Sequence, residues 1–149
     1  MAKQISLLVH FVWSTKNRIP MITNEIKPRL HAYLGGILAN KDAVALSING
    51  VEDHVHIYAS LPSTLTLADA VSAMKSNSSR WVHETFPNHA DFGWQHSYGA
   101  FSVSLSDDQR VRNYILGQEE HHRKMTFQEE YLRFLKRHNI AYDERYVWE

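Results

Sequence analysis

Two runs of apolar and β-branched residues, at 44–51 and 54–61, are separated only by Glu52 and Asp53, a connection short enough to suit a β-hairpin. The rest of the chain is arranged around that hairpin. Residues 4–14 are rich in Leu, Val, Phe and Trp and read as a buried strand that ends at Asn17-Arg18-Ile19-Pro20. Thr23 or Asn24 can cap a helix to about residue 40, with Ile26, Leu30, Tyr33, Leu34, Ile37 and Leu38 near helical spacing. A second helix begins at Thr64 or Thr66 and carries Leu67, Ala70, Val71, Met74 and Trp81 on or near one face, until Phe86-Pro87 closes it. Residues 93–105 give a further strand. The order strand, helix, strand, strand, helix, strand predicts an α+β fold, a ferredoxin-like antiparallel sheet with helices on one face.

Beyond this unit, Ser106-Asp107-Asp108-Gln109 reads as a capping box that opens a helix to about residue 124. Thr126-Phe127-Gln128-Glu129 repeats the device and opens a short helix to about residue 138. Residues 140–148 form an aromatic tail without helical period. With 149 residues, and without repeats or a linker, one domain over 1–149 is expected.

Composition narrows the chemistry. There is no cysteine, so disulfides, thiolate metal sites and cysteine nucleophiles are excluded, and any metal must use His, Asp, Glu or an amide oxygen. Sixteen basic and sixteen acidic residues cancel, so positive charge for a nucleic acid has to be local. No stretch approaches the roughly 20 apolar residues that span a bilayer, and the N-terminus lacks a targeting pattern. A cytoplasmic protein with no membrane partner is expected. A Gly-rich phosphate loop is also missing, so no nucleotide cofactor is expected.

Ten histidines are many for this length, and spacing singles out His54-Val55-His56. Alternate strand residues share a face, with Cα atoms roughly 6 to 7 Å apart, so two imidazoles can converge on one ion while Val55 and Ile57 pack the other way. Alone, such a pair is as readily the wet face of a strand. A second pattern gives it weight: Tyr114 and Gln118 lie at i and i+4, on one helix face. His54, His56 and the Gln118 carbonyl could supply three ligands to a divalent metal, Mg or Mn with Zn also open, leaving room for phosphate oxygen and water. The Tyr114 phenol would then attack phosphorus.

The chain resembles the HUH-type single-tyrosine transposases, the insertion-sequence 200/605 kind, and their repetitive-palindrome-associated relatives. The likeness spans nearly the whole chain. It rests on His10-Phe11-Val12-Trp13-Ser14-Thr15-Lys16-Asn17-Arg18, Asp53-His54-Val55-His56, Lys75-Ser76-Asn77-Ser78-Ser79-Arg80, Trp94-Gln95 through Gly99-Ala100-Phe101-Ser102-Val103, and Tyr114-Ile115 to Gln118 followed by His121-His122. The resemblance implies Tyr114 as nucleophile on a C-terminal helix and His54, His56 and Gln118 as metal ligands. It further implies cleavage and rejoining of single-stranded DNA at hairpin-flanked ends through a 5′-phosphotyrosine. A homodimer is implied too, in which the tyrosine helix can complete the partner's site. Other readings are a domesticated relative processing repeated palindromes, a non-catalytic ferredoxin-like nucleic-acid-binding module, and a metal hydrolase with an activated water.

Candidate DNA contacts are Lys75 and Arg80 on the second helix and Arg110 and Arg112 just before Tyr114, each with an ordinary solvated or capping role as the alternative. Lys16 and Arg18 form a third pair. His121, two turns beyond Tyr114, could be a further ligand or proton donor, whereas His10 reads as a sheet residue. The tryptophans could stack on bases, but core packing suits most of them better.

Overall fold

The computed structural model describes residues 3–149; Met1 and Ala2, part of the N-terminal reading, lie outside the described residues. The elements are β1 (Leu8–Ser14), α1 (Lys27–Ala39), β2 (Val44–Val51), β3 (His54–Ser60), α2 (Leu67–Thr85), β4 (Gly99–Val103), α3 (Asp108–Leu116), α4 (Gln118–His121) and α5 (Phe127–Arg137). The four strands form one antiparallel sheet in the order β2-β3-β1-β4, which is the ferredoxin-like arrangement. Among the described residues no helix is long and apolar enough to cross a membrane.

Several boundaries differ from the sequence reading, each for a local reason. The first strand starts at Leu8, because Leu8 pairs with Ser60 and Val103, where β3 and β4 run out as partners. Likewise β4 is short; Trp94 makes only an isolated bridge to Thr15, and the intervening backbone is clamped from α2 by Lys75. Helix α1 starts at Lys27, with Thr23 Oγ1 accepting from the Ile26 amide at 3.4 Å in the turn before it. Thr66 caps α2 by accepting from the Asp69 amide.

The capping box expected at Ser106 is not made. A 3-10 turn, Leu105–Asp107, comes first; Ser106 Oγ pairs with Ser104 Oγ, and Gln109 donates to Asn113. Nor is there one helix to residue 124, because Gly117 leaves helical geometry (φ −88°, ψ 16°) and divides α3 from α4. The second expected box does form: Thr126 and Glu129 satisfy each other's backbone amides at the start of α5.

Packing follows the strand alternation. Phe11, Trp13, Val55, Ile57 and Ala59 face α1 and α2 and build the main core with Leu30, Leu34, Leu38, Val71 and Met74. The opposite face presents His10, Val12, His54, His56 and Phe101. It is not wet, since His54 and His56 are both 0% exposed. A second apolar cluster, Val12 and Phe101 with Phe127, Tyr131, Phe134 and Leu135 of α5, holds that helix over the sheet, with Trp148 of the tail packed against it. The histidine face is therefore roofed by the C-terminal helices.

Candidate metal and tyrosine centre

Helix α3 is moored to the sheet by polar side chains that reach backbone. Arg112 binds Asp108 and the carbonyl of Leu46, which lies where the β2 register slips between Ala45 and Ser47. Asn49 Nδ2 donates to the carbonyls of Ile115 and Leu116, satisfying the orphan end of α3. Tyr58 of β3 donates to Asp108 at 2.7 Å; burial and that bond push its phenol up to about 12. These ties bring Tyr114 over His10 and His56, at ring-centroid separations of 6.4 and 5.8 Å.

Glu130 of α5 lies at the centre. Its Oε1 is 3.0 Å from His56 Nε2, 3.1 Å from His122 Nε2 and 3.4 Å from His54 Nε2. Its Oε2 accepts from the Tyr114 hydroxyl and lies 3.5 Å from His121 Nε2 and 3.4 Å from Gln118 Nε2. Burial alone would raise this carboxyl, but the surrounding imidazoles, His56 foremost, outweigh it and hold Glu130 well below the usual carboxylate range. Burial and then the charge of Glu130 push the Tyr114 phenol well above its ordinary value. In this state the phenol is a hydrogen-bond donor, protonated and parked on the carboxylate.

An outer carboxylate favours a lone pair facing inward at His54. His54 Nδ1 lies 2.7 Å from the Asp53 carboxylate, so a neutral His54 carries its proton there and turns a bare Nε2 toward Gln118 Oε1 at 3.1 Å and Glu130 Oε1 at 3.4 Å. Gln118 cannot simply flip, because its Nε2 donates toward the Tyr114 carbonyl and Glu130. His56 Nδ1 is 2.8 Å from His10 Nε2; burial and the neighbouring His56 hold His10 well below its usual value, so it is a neutral partner. His122 Nε2 is buried, close to Glu130 but without a well-directed hydrogen bond. Imidazole nitrogens of His54, His56 and His122 thus converge on one carboxylate oxygen, a concentration of donor atoms that a cation could also occupy.

The donor set fits a metal. One donor atom from each of His54, His56, His122 and Glu130 can be chosen so that all lie within 4.8 Å of one another. Adjacent ligands on an ion with bonds of about 2.1 Å stand about 3.0 to 3.5 Å apart, the range found around Glu130 Oε1.

Of the residues singled out by sequence, the structure brings His54, His56, Tyr114, Gln118 and His121 together; His121 Nε2 is 3.2 Å from the Tyr114 hydroxyl. Tyr114 lies beside the histidines of its own chain. His10 is a sheet residue, as read, but also the partner of His56. The candidate DNA contacts lie elsewhere. Lys75 gives its ammonium to the carbonyls of Gln95, His96 and Ser97 at 2.7, 3.1 and 2.8 Å, which uses all its protons internally. Arg80 bonds Asn77, exposed Arg110 pairs with Asp107, and Arg112 is occupied as described. Sequence reasoning missed Glu130 and, while noting His122 beside His121, gave it no part in the site. It also missed Arg133 and Arg137, which with Tyr114, His121, Glu130 and Phe134 line a cavity of about 50 Å³ beside the phenol. A carboxylate on the apolar stripe Phe127, Tyr131, Phe134 of an amphipathic helix was the available signal for Glu130.

The family described as "Transposase IS200 like" matches residues 3–118, from the start of the described chain through Gln118. The chain belongs to this family. The IS200-like assignment agrees with a curated relative, the ISDra2 transposase TnpA of Deinococcus radiodurans, which is 26% identical over 116 residues, 74% of this chain and 83% of that protein. A transposase crystal structure from Deinococcus radiodurans R1 has the same fold, with TM-score 0.64 and 24% identity over 79% of this chain and 95% of the other. So has a REP-associated tyrosine transposase bound to a REP hairpin, with TM-score 0.60 and 12% identity over 82% and 73% of the two chains. For an IS200-like transposase, the residues that most concern the site beyond the matched span are His121, His122 and Glu130.

Proposed function

We propose that this IS200-like transposase cleaves and rejoins single-stranded DNA at hairpin-flanked ends, with Tyr114 as nucleophile and a divalent ion held by His54, His56 and Gln118. The observation that carries this reading is the Tyr114 hydroxyl bonded to Glu130, whose other oxygen lies 3.0 Å from His56 and 3.4 Å from His54 of the same chain. The relative bound to a REP hairpin supports a hairpin-bearing DNA as the partner.

In the first step the Tyr114 oxygen bonds phosphorus as the bond to the 3′ oxygen breaks, leaving a 5′-phosphotyrosine and a 3′-hydroxyl. The phenolic proton is the one that the departing 3′ oxygen finally needs, so the step balances without an added reactant. Attack by another 3′-hydroxyl reverses it and joins new ends. Glu130, already accepting the hydrogen bond of the phenol, orients it and can take its proton on the way to the 3′ oxygen; Arg133 and Arg137 beside it can meet phosphate oxygens. When bound, the ion would offset charge on the phosphate and lower the cost of ionising a phenol held so far above its usual range. The unit is taken as one domain over 1–149 acting in the cytoplasm. The protein acts as a homodimer, in which Tyr114 beside the histidines of its own chain makes no demand for exchange between chains.

The test incubates the full chain with hairpin-flanked single-stranded DNA and Mn or Mg and looks for a denaturation-resistant protein–DNA adduct. Wild type is expected to form it, and Tyr114→Phe to form none while still binding the DNA. Cutting retained by Tyr114→Phe would replace the tyrosine with an activated water. Binding without any cutting by wild type, across suitable ends, would leave a non-catalytic module.

A further inference from the structure

We infer that His122 and Glu130 are themselves ligands of the ion, completing a centre of three imidazoles and a carboxylate that selects a first-row transition ion over magnesium. This rests on the reading that His54 and His56 hold a metal, and adds to it both the donors and the class of ion.

Geometry comes first. The three Nε2 atoms of His54, His56 and His122 surround one oxygen of Glu130 at 3.4, 3.0 and 3.1 Å, separations that suit neighbours on a common ion. As hydrogen bonds, the same contacts would need three N–H groups pointing at one oxygen. The Asp53 partner of His54 argues for its proton at Nδ1, and His122 Nε2 has no well-directed acceptor. Removing the roof would not leave the set intact: His122 follows α4 and Glu130 stands in α5, both placed by the second apolar cluster and by the break at Gly117. The chain therefore builds two further donors into the site from elements beyond Gln118.

The chemistry of the set then decides the ion. Magnesium prefers oxygen ligands and gives up its waters reluctantly, so it rarely accepts several protein nitrogens. Imidazole nitrogen suits iron, nickel, copper and zinc, and affinity for such a set rises from manganese through cobalt to copper. With three imidazoles, one carboxylate and the Gln118 carbonyl as donors, a six-coordinate ion would have one position left for a phosphate oxygen. The second oxygen of Glu130 remains on the Tyr114 hydroxyl, so the same carboxylate spans the ion and the phenol.

The experiment uses the metal-free full chain titrated with Co²⁺ and Mn²⁺, read by the visible Co²⁺ bands and by Mn²⁺ magnetic resonance, with Mg²⁺ as competitor. One ion per chain is expected, undisplaced by about a thousandfold excess of Mg²⁺. His122→Ala and Glu130→Gln should each weaken Co²⁺ at least about tenfold and alter its bands, while His54→Ala abolishes binding. If His122→Ala and Glu130→Gln bind Co²⁺ with wild-type affinity and spectrum while His54→Ala does not bind, the inference is wrong and the simpler histidine-pair site stands. Free displacement of Co²⁺ by Mg²⁺ would also overturn it. A wild-type chain that binds none of these ions sinks both readings. Should a variant fail to fold, nitrogen-15 spectra of the histidines in Zn²⁺-loaded wild type decide: coordination shifts at His54, His56 and His122 support the centre, and shifts at His54 and His56 alone refute it.

Discussion

Gly50 offers a severe test of how the site is positioned, because it lies on β2 directly opposite Val55, the residue between His54 and His56. A Cβ there would run into the His54 carbonyl oxygen and approach Val55 Cα to 3.0 Å and the His54 carbonyl carbon to 3.2 Å. All three are backbone atoms, so no rotamer relieves the contact and β3 must move or β2 must peel away. Overpacking of this kind costs about 1 to 3 kcal/mol, which for a domain of this length lowers Tm by roughly 3 to 10 °C. Gly36, in α1, is the matched control: a Cβ there meets nothing within 4 Å, and the gain in helix propensity is about 0.5 to 1 kcal/mol. Thermal unfolding of the metal-free chain should therefore move in opposite directions, down for Gly50→Ala and up for Gly36→Ala. Because a site of this type tolerates displacements of only about 0.5 Å, Gly50→Ala should also lose most adduct formation at temperatures where it stays folded, and Gly36→Ala should keep it. A Gly50→Ala chain that melts at the wild-type temperature with full adduct formation would refute the close backbone approach as the reason for glycine.

Two other outcomes follow from the polar contacts. Lys75→Met removes the clamp on residues 95–97 and should cost about 2 kcal/mol or more in urea unfolding. It should leave the salt dependence of DNA binding unchanged, whereas loss of one phosphate contact would lower that slope by about one with little effect on stability. For His31, burial and then the charge of Lys27 bring the imidazole down to about 4 from 6.5. The unfolded chain takes up that proton first, so the contribution of His31 is complete above pH 6.5 and fades as pH falls toward 4, by about 2 to 3 kcal/mol in all. Stability measured at pH 7 and pH 4.5 should fall more in wild type than in His31→Gln, and parallel losses would contradict the assignment.

The sheet was legible because its signals are local. The hairpin at 44–61, the alternation that sends Val55 and Ile57 one way and His54 and His56 the other, and the Thr66 and Thr126 caps all depend on neighbours in sequence. What escaped depends on packing between distant segments. His54 and His56 read as plausibly wet because nothing near them in sequence shows that α5 will cover their face. That Lys75 holds the backbone at 95–97 shows only once that segment is folded beneath it. Glu130 sits 16 residues beyond Tyr114, and only the docking of α5 turns a helix charge into the carboxylate that touches both the phenol and the imidazoles.

The interruption at Gly117 has a consequence for rotational phase. In an unbroken helix, residue 118 would sit about 40° around from Tyr114, residue 121 about 20° to the other side, and residue 122 about 80° away and some 12 Å farther along. His122 would then face outward and miss Glu130. The change of direction at a single glycine lets four side chains drawn from nine consecutive positions aim at one point. Chain length between Tyr114 and His122 is consequently fixed to the residue: inserting or deleting one position there would turn everything after it by about 100° and scatter the group.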